Sequence, residues 1–468
     1  MTEDEKRNKN LLEGICIYGI GMFGTKILVF LIVPLYTYYI STEDMGVYDL
    51  LISTVNLLTP IVTLQISDAA YRWMIRHPDT KELYIRSTLQ VLLVNSLIAA
   101  ILILLFNKML GIPYCIYFIL VLLTSRSLET LQKLLRGVKN QKIYAFSGIL
   151  YTAIFLLLNI IQICVLKLGM SSFFLSAITS NIMTCLVIFI FEPAMRINII
   201  KLPDIKTIKK MLVFSAPLVM NQLNWWIMNS SDRYIVSFVL GSSANGILSI
   251  AHKFPTMLQV VIGLFTTSWQ DVSIAESSQK AGDYYGQIFR KFYRFSFSFL
   301  WILVPFTHVF ITLAMSSAYK VSAKYVAFYY LGTVFLGFSS FYGVGYLKNK
   351  KTNKAFSTSI YGAIVNAIVH IMLIKFIGLQ AAAVSTFAGF GVMWVIRVRQ
   401  NKTELKIKIL YKEFIGLFIS AIIICFAAIL SDIKINLIMS CLGTAAFILY
   451  NRIDLYNLLS KIITRIKH

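Results

Sequence analysis

Charge is scarce in this sequence: 14% of its 468 residues are Asp, Glu, Lys or Arg, while 57% are apolar. A soluble globular protein carries about 25% charged and about 45–50% apolar residues. That imbalance excludes an aqueous fold around one core and makes lipid the second solvent. Acids are scarcer still, 21 against 44 bases, for a formal net charge of +23. Cysteine is limited to six residues (Cys16, Cys115, Cys164, Cys185, Cys425, Cys441) with no CxxC pair. Together with only five histidines this excludes a zinc-type cluster, so no metal and no cofactor is expected. Nearly all six cysteines fall in apolar runs, where they act as small hydrophobes. Alternating ten-residue segments are missing, which excludes an outer-membrane barrel. Long polar loops are missing too, so a catalytic domain has no residues from which to be built.

What the chain does have is apolar runs of about 20 residues, each long enough to cross a hydrocarbon core of about 30 Å as a helix. We read spans at 13–40, 46–68, 85–106, 112–135, 143–166, 171–191, 212–240, 246–270, 293–315, 324–346, 355–376, 379–397, 412–431 and 433–450. The fold class expected is therefore an all-α polytopic membrane protein with about 14 transmembrane helices. About 33 of the Lys and Arg residues fall in the N-terminal tail, alternate loops and C-terminal tail, about 6 in the intervening loops and about 5 inside spans. This asymmetry puts the basic segments and both termini in the cytoplasm of a cell (inner) membrane protein. It also accounts for the net charge without nucleic acid, because Lys206–Lys210 and Lys348–Lys354 are short topogenic clusters. The polar tail MTEDEKRNKN leads into a run too long for a signal peptide, and an uncleaved first helix is expected.

The chain repeats weakly at an offset of about 200 residues, a period that matches parallel halves related by an axis along the membrane normal. STEDMGVYDL (41–50) aligns with GSSANGILSI (241–250), Gly46 over Gly246. Ser41 and Thr42 suit a helix N-cap, and Glu43 and Asp44 suit its first turn. Six spans separate the copies, so the halves share an orientation. The expected domains are a six-helix lobe over 1–210, a second over 211–400, and two additional helices with a tail over 401–468.

Function is sought in the charges at membrane depth, each of which costs about 2.5–3.5 kcal/mol at a helix centre unless partnered or wet. Lys26 falls mid-way along the first span, Arg126 in the fourth, Asp232 and Arg233 in the seventh, Lys253 in the eighth. Four cations from both halves point to a cavity that receives an anion. Separate pairing with scattered carboxylates is the competing reading. Glu129 and Lys133 at i,i+4 make an ordinary helix pair, Asp68 and Arg72 an interfacial one, and Lys133 and Arg136 reach the cytoplasmic interface. His308 and His370 have no ligand partner in sequence and are expected to be packed or interfacial. Trp226 and Trp269, with Trp225 and Tyr234, stand near the cations and could stack on sugar or fill helix interfaces. Asp232 is the candidate for a coupling carboxylate.

At these residues the chain resembles polysaccharide repeat-unit flippases of the Wzx type, within the multidrug/oligosaccharidyl-lipid/polysaccharide exporter superfamily. The stretches that carry the resemblance are STEDMGVYDL (41–50), SDAAYRWM (67–74), SSDRYIVSFVLG (230–241), GILSIAHKFP (246–255) and SWQDVSIAE (268–276). Their order and spacing cover about residues 10–400 in register with two six-helix lobes. Asp271 departs from the proline that commonly follows Trp–Gln in the family. The resemblance implies a transporter rather than an enzyme, moving undecaprenyl-diphosphate-linked oligosaccharides outward by alternating access. It implies substrate contacts from Lys26, Arg126, Arg233 and Lys253, with Trp226 and Trp269. Its expected partners are the lipid-linked oligosaccharide and membrane lipid, then polymerase and chain-length machinery. A lipid II flippase, a cation-coupled multidrug exporter and a membrane polymerase are the alternatives, the last disfavoured by its need for a long outer loop.

Overall fold

The structure is a computed structural model that describes residues 30–275, 281–348 and 351–466. The described residues are helical almost throughout, and twelve helices among them are long and apolar enough to cross a membrane. Residue contacts divide the chain into an N-terminal unit, Met1–Ser230, and a C-terminal unit, Ser231–His468.

In the N-terminal unit the helices are α1 (Val33–Tyr39), α2 (Thr42–Thr63), α3 (Ile66–Arg76), α4 (Lys81–Leu110), α5 (Cys115–Gly137), α6 (Gln141–Ile160) and α7 (Ser171–Phe191). They are followed by α8 (Ile205–Leu240), which runs through the division. The expected cap at Ser41 is made: its hydroxyl accepts from the Asp44 amide at 3.1 Å. Asp204 opens α8 in the same way, accepting from the Thr207 amide at 3.1 Å and the Thr207 hydroxyl at 2.8 Å. Helix α5 is the hub, packed against α2, α3, α4, α6 and α7. Two apolar clusters meet along it. One gathers Leu51, Val55, Phe118, Leu122 and Phe174; the other gathers Ile66, Met74, Leu131, Leu135 and Met211.

The expected continuous span 46–68 is instead broken. Leu64 and Gln65 both sit in the left-handed region, φ +46° and +51°, and separate α2 from α3. Such a conformation costs a non-glycine residue about 1–2 kcal/mol, so neighbours must hold it. Asn95 of α4 does part of this by donating to the Val62 carbonyl at 3.0 Å, and the Thr63 hydroxyl accepts from the Gln65 amide at 3.2 Å.

The C-terminal unit continues with α9 (Ser242–Ala275), α10 (Ala281–Ala314), α11 (Val326–Lys348), α12 (Thr352–Ile377), α13 (Gln380–Gln400), α14 (Tyr411–Leu430) and α15 (Ile433–Ile466). Helix α11 is buried along most of its length, which its all-round apolar sequence requires in a bundle interior. It packs on α9, α10, α12, α13 and α14. Gly337 permits one of these approaches, since a Cβ there would lie 2.7 Å from Ile262 Cγ2. Phe338 meets Phe289 and Phe297 edge to face at 5.4 Å between centroids, and Phe297 meets Phe414 edge to face at 5.3 Å, drawing α14 into the same core. Helices α14 and α15 also pack against α10.

One helix start repeats at the period read from sequence: Thr42 and Ser242 open α2 and α9, 200 residues apart. The break at Leu64–Gln65 has no counterpart in α9, which continues unbroken through Leu264 and Phe265.

Candidate intramembrane charge sites

In the N-terminal unit the charges form one network between the two apolar clusters. Arg126, Glu129 and Lys133 lie on one face of α5, at i, i+3 and i+7. The Arg126 guanidinium donates from Nη1 to Glu129 Oε2 at 2.7 Å and to Thr59 Oγ1 of α2 at 2.6 Å. Lys133 Nζ lies 3.5 Å from Glu129 Oε1 and donates to Asp68 Oδ2 at 2.8 Å; it also reaches Gln65 Oε1 at 3.4 Å. The lysine therefore ties α5 to the αL break and to the first turn of α3. Two cations and two carboxylates balance, so the site is neutral as it stands. Its polar groups are matched inside an apolar wall, which is what keeps such charges tolerable.

This corrects one sequence expectation. Asp68 pairs with Lys133 rather than with Arg72, whose guanidinium lies over the Phe214 ring at 4.5 Å. Arg136 spreads over Tyr71 and Tyr144 at 5.1 and 5.8 Å. The Glu129–Lys133 pair is present, but it is one link of a longer chain that includes Arg126. Trp226 donates its indole N–H to the Ser53 carbonyl at 2.9 Å, joining α8 to α2.

In the C-terminal unit Asp232 is almost fully buried. Its Oδ2 accepts from the Tyr329 hydroxyl of α11 at 2.9 Å, and its Oδ1 accepts from the Arg233 backbone at 3.0 Å and from Arg233 Nη1 at 3.4 Å. The His252 ring stands edge-on to Tyr329 with centroids 5.0 Å apart. Lys253 follows His252 on α9 and is half-buried. Trp269 is buried in the aromatic core, stacked on Phe341 at 4.1 Å and donating to the Phe341 carbonyl at 3.0 Å. Lys26 lies outside the described residues. Among the described residues no group of His, Cys, Asp and Glu is arranged to hold a metal.

The sequence profile of polysaccharide biosynthesis proteins matches residues 11–269, more than half of the chain and a stretch that contains Arg126, Glu129, Lys133, Asp232, Arg233 and Lys253. The chain belongs to the polysaccharide biosynthesis protein family. No curated protein matches it by sequence. Among solved structures, this family member shares its fold with the lipid II flippase MurJ in an inward closed conformation, at TM-score 0.73 and 16% identity over 95% of this chain and 100% of that one. It also shares the fold of multidrug resistance MATE family transporters of the MOP superfamily. An inward-facing one aligns at TM-score 0.64 and 14% identity, covering 84% of this chain and 98% of that one. An outward-facing one gives 0.58 and 13%, covering 84% and 95%. The fold is thus the one that these transporters share.

Three groups in this polysaccharide biosynthesis protein went unnoticed in sequence. Thr59 and Gln65 carry no charge and look like ordinary span residues, yet both hold network cations. Arg397 of α13 is buried without an ion-pair partner among the described residues. It donates instead to Thr358 Oγ1 at 3.0 Å, the Ser339 carbonyl at 2.9 Å and Ser359 Oγ at 3.1 Å. It stands near the end of a span, as cytoplasmic charges do, and only the facing hydroxyls distinguish it.

Proposed function

We propose that the protein is a flippase that carries undecaprenyl-diphosphate-linked oligosaccharide repeat units from the cytoplasmic to the outer leaflet by alternating access, for cell-surface polysaccharide synthesis. The observation that carries this reading is the family match, joined to a fold likeness that spans 95% of the chain with a lipid-carrier flippase. The likenesses to multidrug transporters cover 84% of the chain. In this reading Arg126, Arg233 and Lys253, with Lys26, receive the diphosphate, and Trp226 lies along the sugar path. The carboxylates Glu129 and Asp68 neutralise Arg126 and Lys133 when substrate is absent and yield them when a phosphate arrives. Arginine suits that exchange because its planar fork matches phosphate oxygens. A potential negative inside then assists, since each negative charge moved outward gains about 2.3 kcal/mol per 100 mV.

The test is export of lipid-linked repeat units in cells expressing Arg233→Ala or Lys253→Ala. The expected result is blocked export with membrane levels intact; normal export in both variants overturns the cavity. A lipid II flippase is the second reading, favoured by the same full-length likeness. It predicts that this chain sustains growth of cells depleted of their own lipid II flippase, whereas the repeat-unit reading predicts that it does not.

A further inference from the structure

The segment between α7 and α8, residues 192–204, turns two sets of aliphatic side chains in opposite directions. Met195, Ile197 and Ile199 pack against the apolar cluster that holds Met74 and Leu135. Ile200 and Leu202 face away from it, 94% and 91% exposed, and Ile205 at the start of α8 is 73% exposed. Hydrogen bonds fix the backbone that carries them. Gln90 of α4 donates to the Ile199 and Lys201 carbonyls at 2.9 and 2.7 Å, and the Asn198 side chain accepts from the Ile200 amide at 3.0 Å. Arg196 donates to the Phe189 carbonyl at 2.7 Å, tying the segment to the end of α7. Lys201, Lys206, Lys209 and Lys210 stand exposed among these aliphatic residues. The nearby acids are engaged elsewhere, Asp204 in the cap of α8 and Glu192 with Asn140 at 2.7 Å, which leaves the four lysines unpaired among the described residues. Lysines in the first turns of a helix oppose its dipole, so they are not there to support α8.

We propose that this segment is a membrane-surface anchor that selects anionic phospholipid. Ile200, Leu202 and Ile205 enter the boundary between headgroups and acyl chains, and the four lysines bind the phosphates of negatively charged headgroups around them. Helix α8 supports the depth. At 3.6 residues per turn, Lys206, Lys209 and Lys210 fall on the same broad face as Ile205, Val213 and Met220, the last two 69% and 60% exposed. That face passes from lysines to bare apolar surface, the order of headgroup and acyl chain in a leaflet. A topogenic role asks only for positive charge on one side; it does not ask for lysines interleaved with outward-held Ile and Leu. Charge decides the class of lipid. Four lysines with no free acid suit a headgroup of net negative charge, whereas a zwitterionic one brings an ammonium against them. The cytoplasmic side expected from the charge asymmetry is also where anionic lipids gather. The anchor uses none of the intramembrane charges, so it stands independently of what the protein carries.

The test places an environment-sensitive fluorophore on Ile200→Cys in the full-length protein lacking its native thiols. The protein is held in nanodiscs of phosphatidylcholine alone or of phosphatidylcholine with phosphatidylglycerol. In the anionic discs the probe should be quenched by lipids carrying a nitroxide high on the acyl chain and shielded from iodide. That quenching should fall about twofold or more in phosphatidylcholine alone, in high salt, and in the K201Q/K206Q/K209Q/K210Q variant. Equal quenching in both kinds of disc overturns the selection of anionic lipid. A probe that iodide reaches and nitroxide lipid does not, in the anionic discs, overturns the anchor and leaves this face to a protein partner. If the thiol-free chain does not fold, p-benzoylphenylalanine replaces Leu202 in the chain with its native cysteines. Illumination should then give an adduct with the mass of phosphatidylglycerol, and its absence overturns the proposal.

Discussion

At the scale of single residues, Arg397 shows how a buried cation can be held without a carboxylate. Its three nitrogens are met by two hydroxyls and a carbonyl from α11 and α12, so the planar fork matches a fixed set of acceptors. Arg397→Lys keeps the charge and loses the fork. We expect it to lower stability by about 2 kcal/mol, read as an earlier thermal transition of the detergent-purified protein. The Lys133–Asp68 pair supports a different test, because both ends are partly exposed. A double-mutant cycle with Lys133→Ala and Asp68→Ala should give a coupling of about 1 kcal/mol; strict additivity would remove Lys133 from its role as clamp of the helix break. These residues also show what a sequence reader can and cannot see. The i,i+4 rule offers Asp68 the nearby Arg72, while the actual partner lies 65 residues away on α5. Which face of α3 turns toward α5 depends on the break at Leu64–Gln65, and no residue type there announces it. The charges at membrane depth were legible; their partners were not.

Among the elements, the interrupted second span is the clearest departure from the regularity of the chain. Leu64→Ile keeps the volume but puts a β-branched side chain where φ is +46°. We expect a loss of about 1 kcal/mol, measured by thermal unfolding. Leu264→Ile, one repeat later and inside unbroken α9, is the control and should change little. The first turn of α8 offers a second measurement. Hydrogen bonds from the Thr207 amide and hydroxyl hold the Asp204 carboxyl below the usual carboxylate range. A depressed carboxyl contributes stability that is complete above its unfolded value and is lost as pH falls through its folded one. Protection against hydrogen exchange over the first turn of α8, taken relative to the intrinsic rate at each pH, should therefore fall only in acid below the ordinary aspartate range. Asp204→Ala should show that lower protection already at neutral pH; protection that does not change with pH in the wild type would remove the cap. The cap at Ser41 was readable because one side chain and the next turn suffice to make it.

For the whole molecule the open quantity is parity, because α8 is not among the twelve helices apolar enough to count as spans on composition alone. It is long enough: 36 residues at 1.5 Å each give about 54 Å. Its middle, NQLNWWIMNSSDR, carries the polar groups that keep it off that count, and these include Asp232 and Arg233. If α8 did not cross, every later loop would change sides, and the basic segments around Lys291, Lys351 and Lys406 would face outward against the charge asymmetry. Contacts within each unit hold the basic loops together. Gln90 donates to the Ile199 and Lys201 carbonyls at 2.9 and 2.7 Å, and Asn140 to Glu192 at 2.7 Å. In the C-terminal unit Lys351 meets Glu404 at 2.8 Å, Arg290 meets Glu413 at 2.7 Å and Lys291 meets Asp454 at 3.1 Å. Each set lies on one side of its own unit, and only α8 decides whether the two sides are the same. Single cysteines at Lys201 and Lys406, in a variant lacking the native thiols, should both resist a membrane-impermeant maleimide until cells are permeabilised. A cysteine at Lys167 should react in intact cells. Labelling of Lys201 and Lys406 on opposite sides would mean that α8 does not span, and that Asp232 and Arg233 lie at a surface instead of in the membrane.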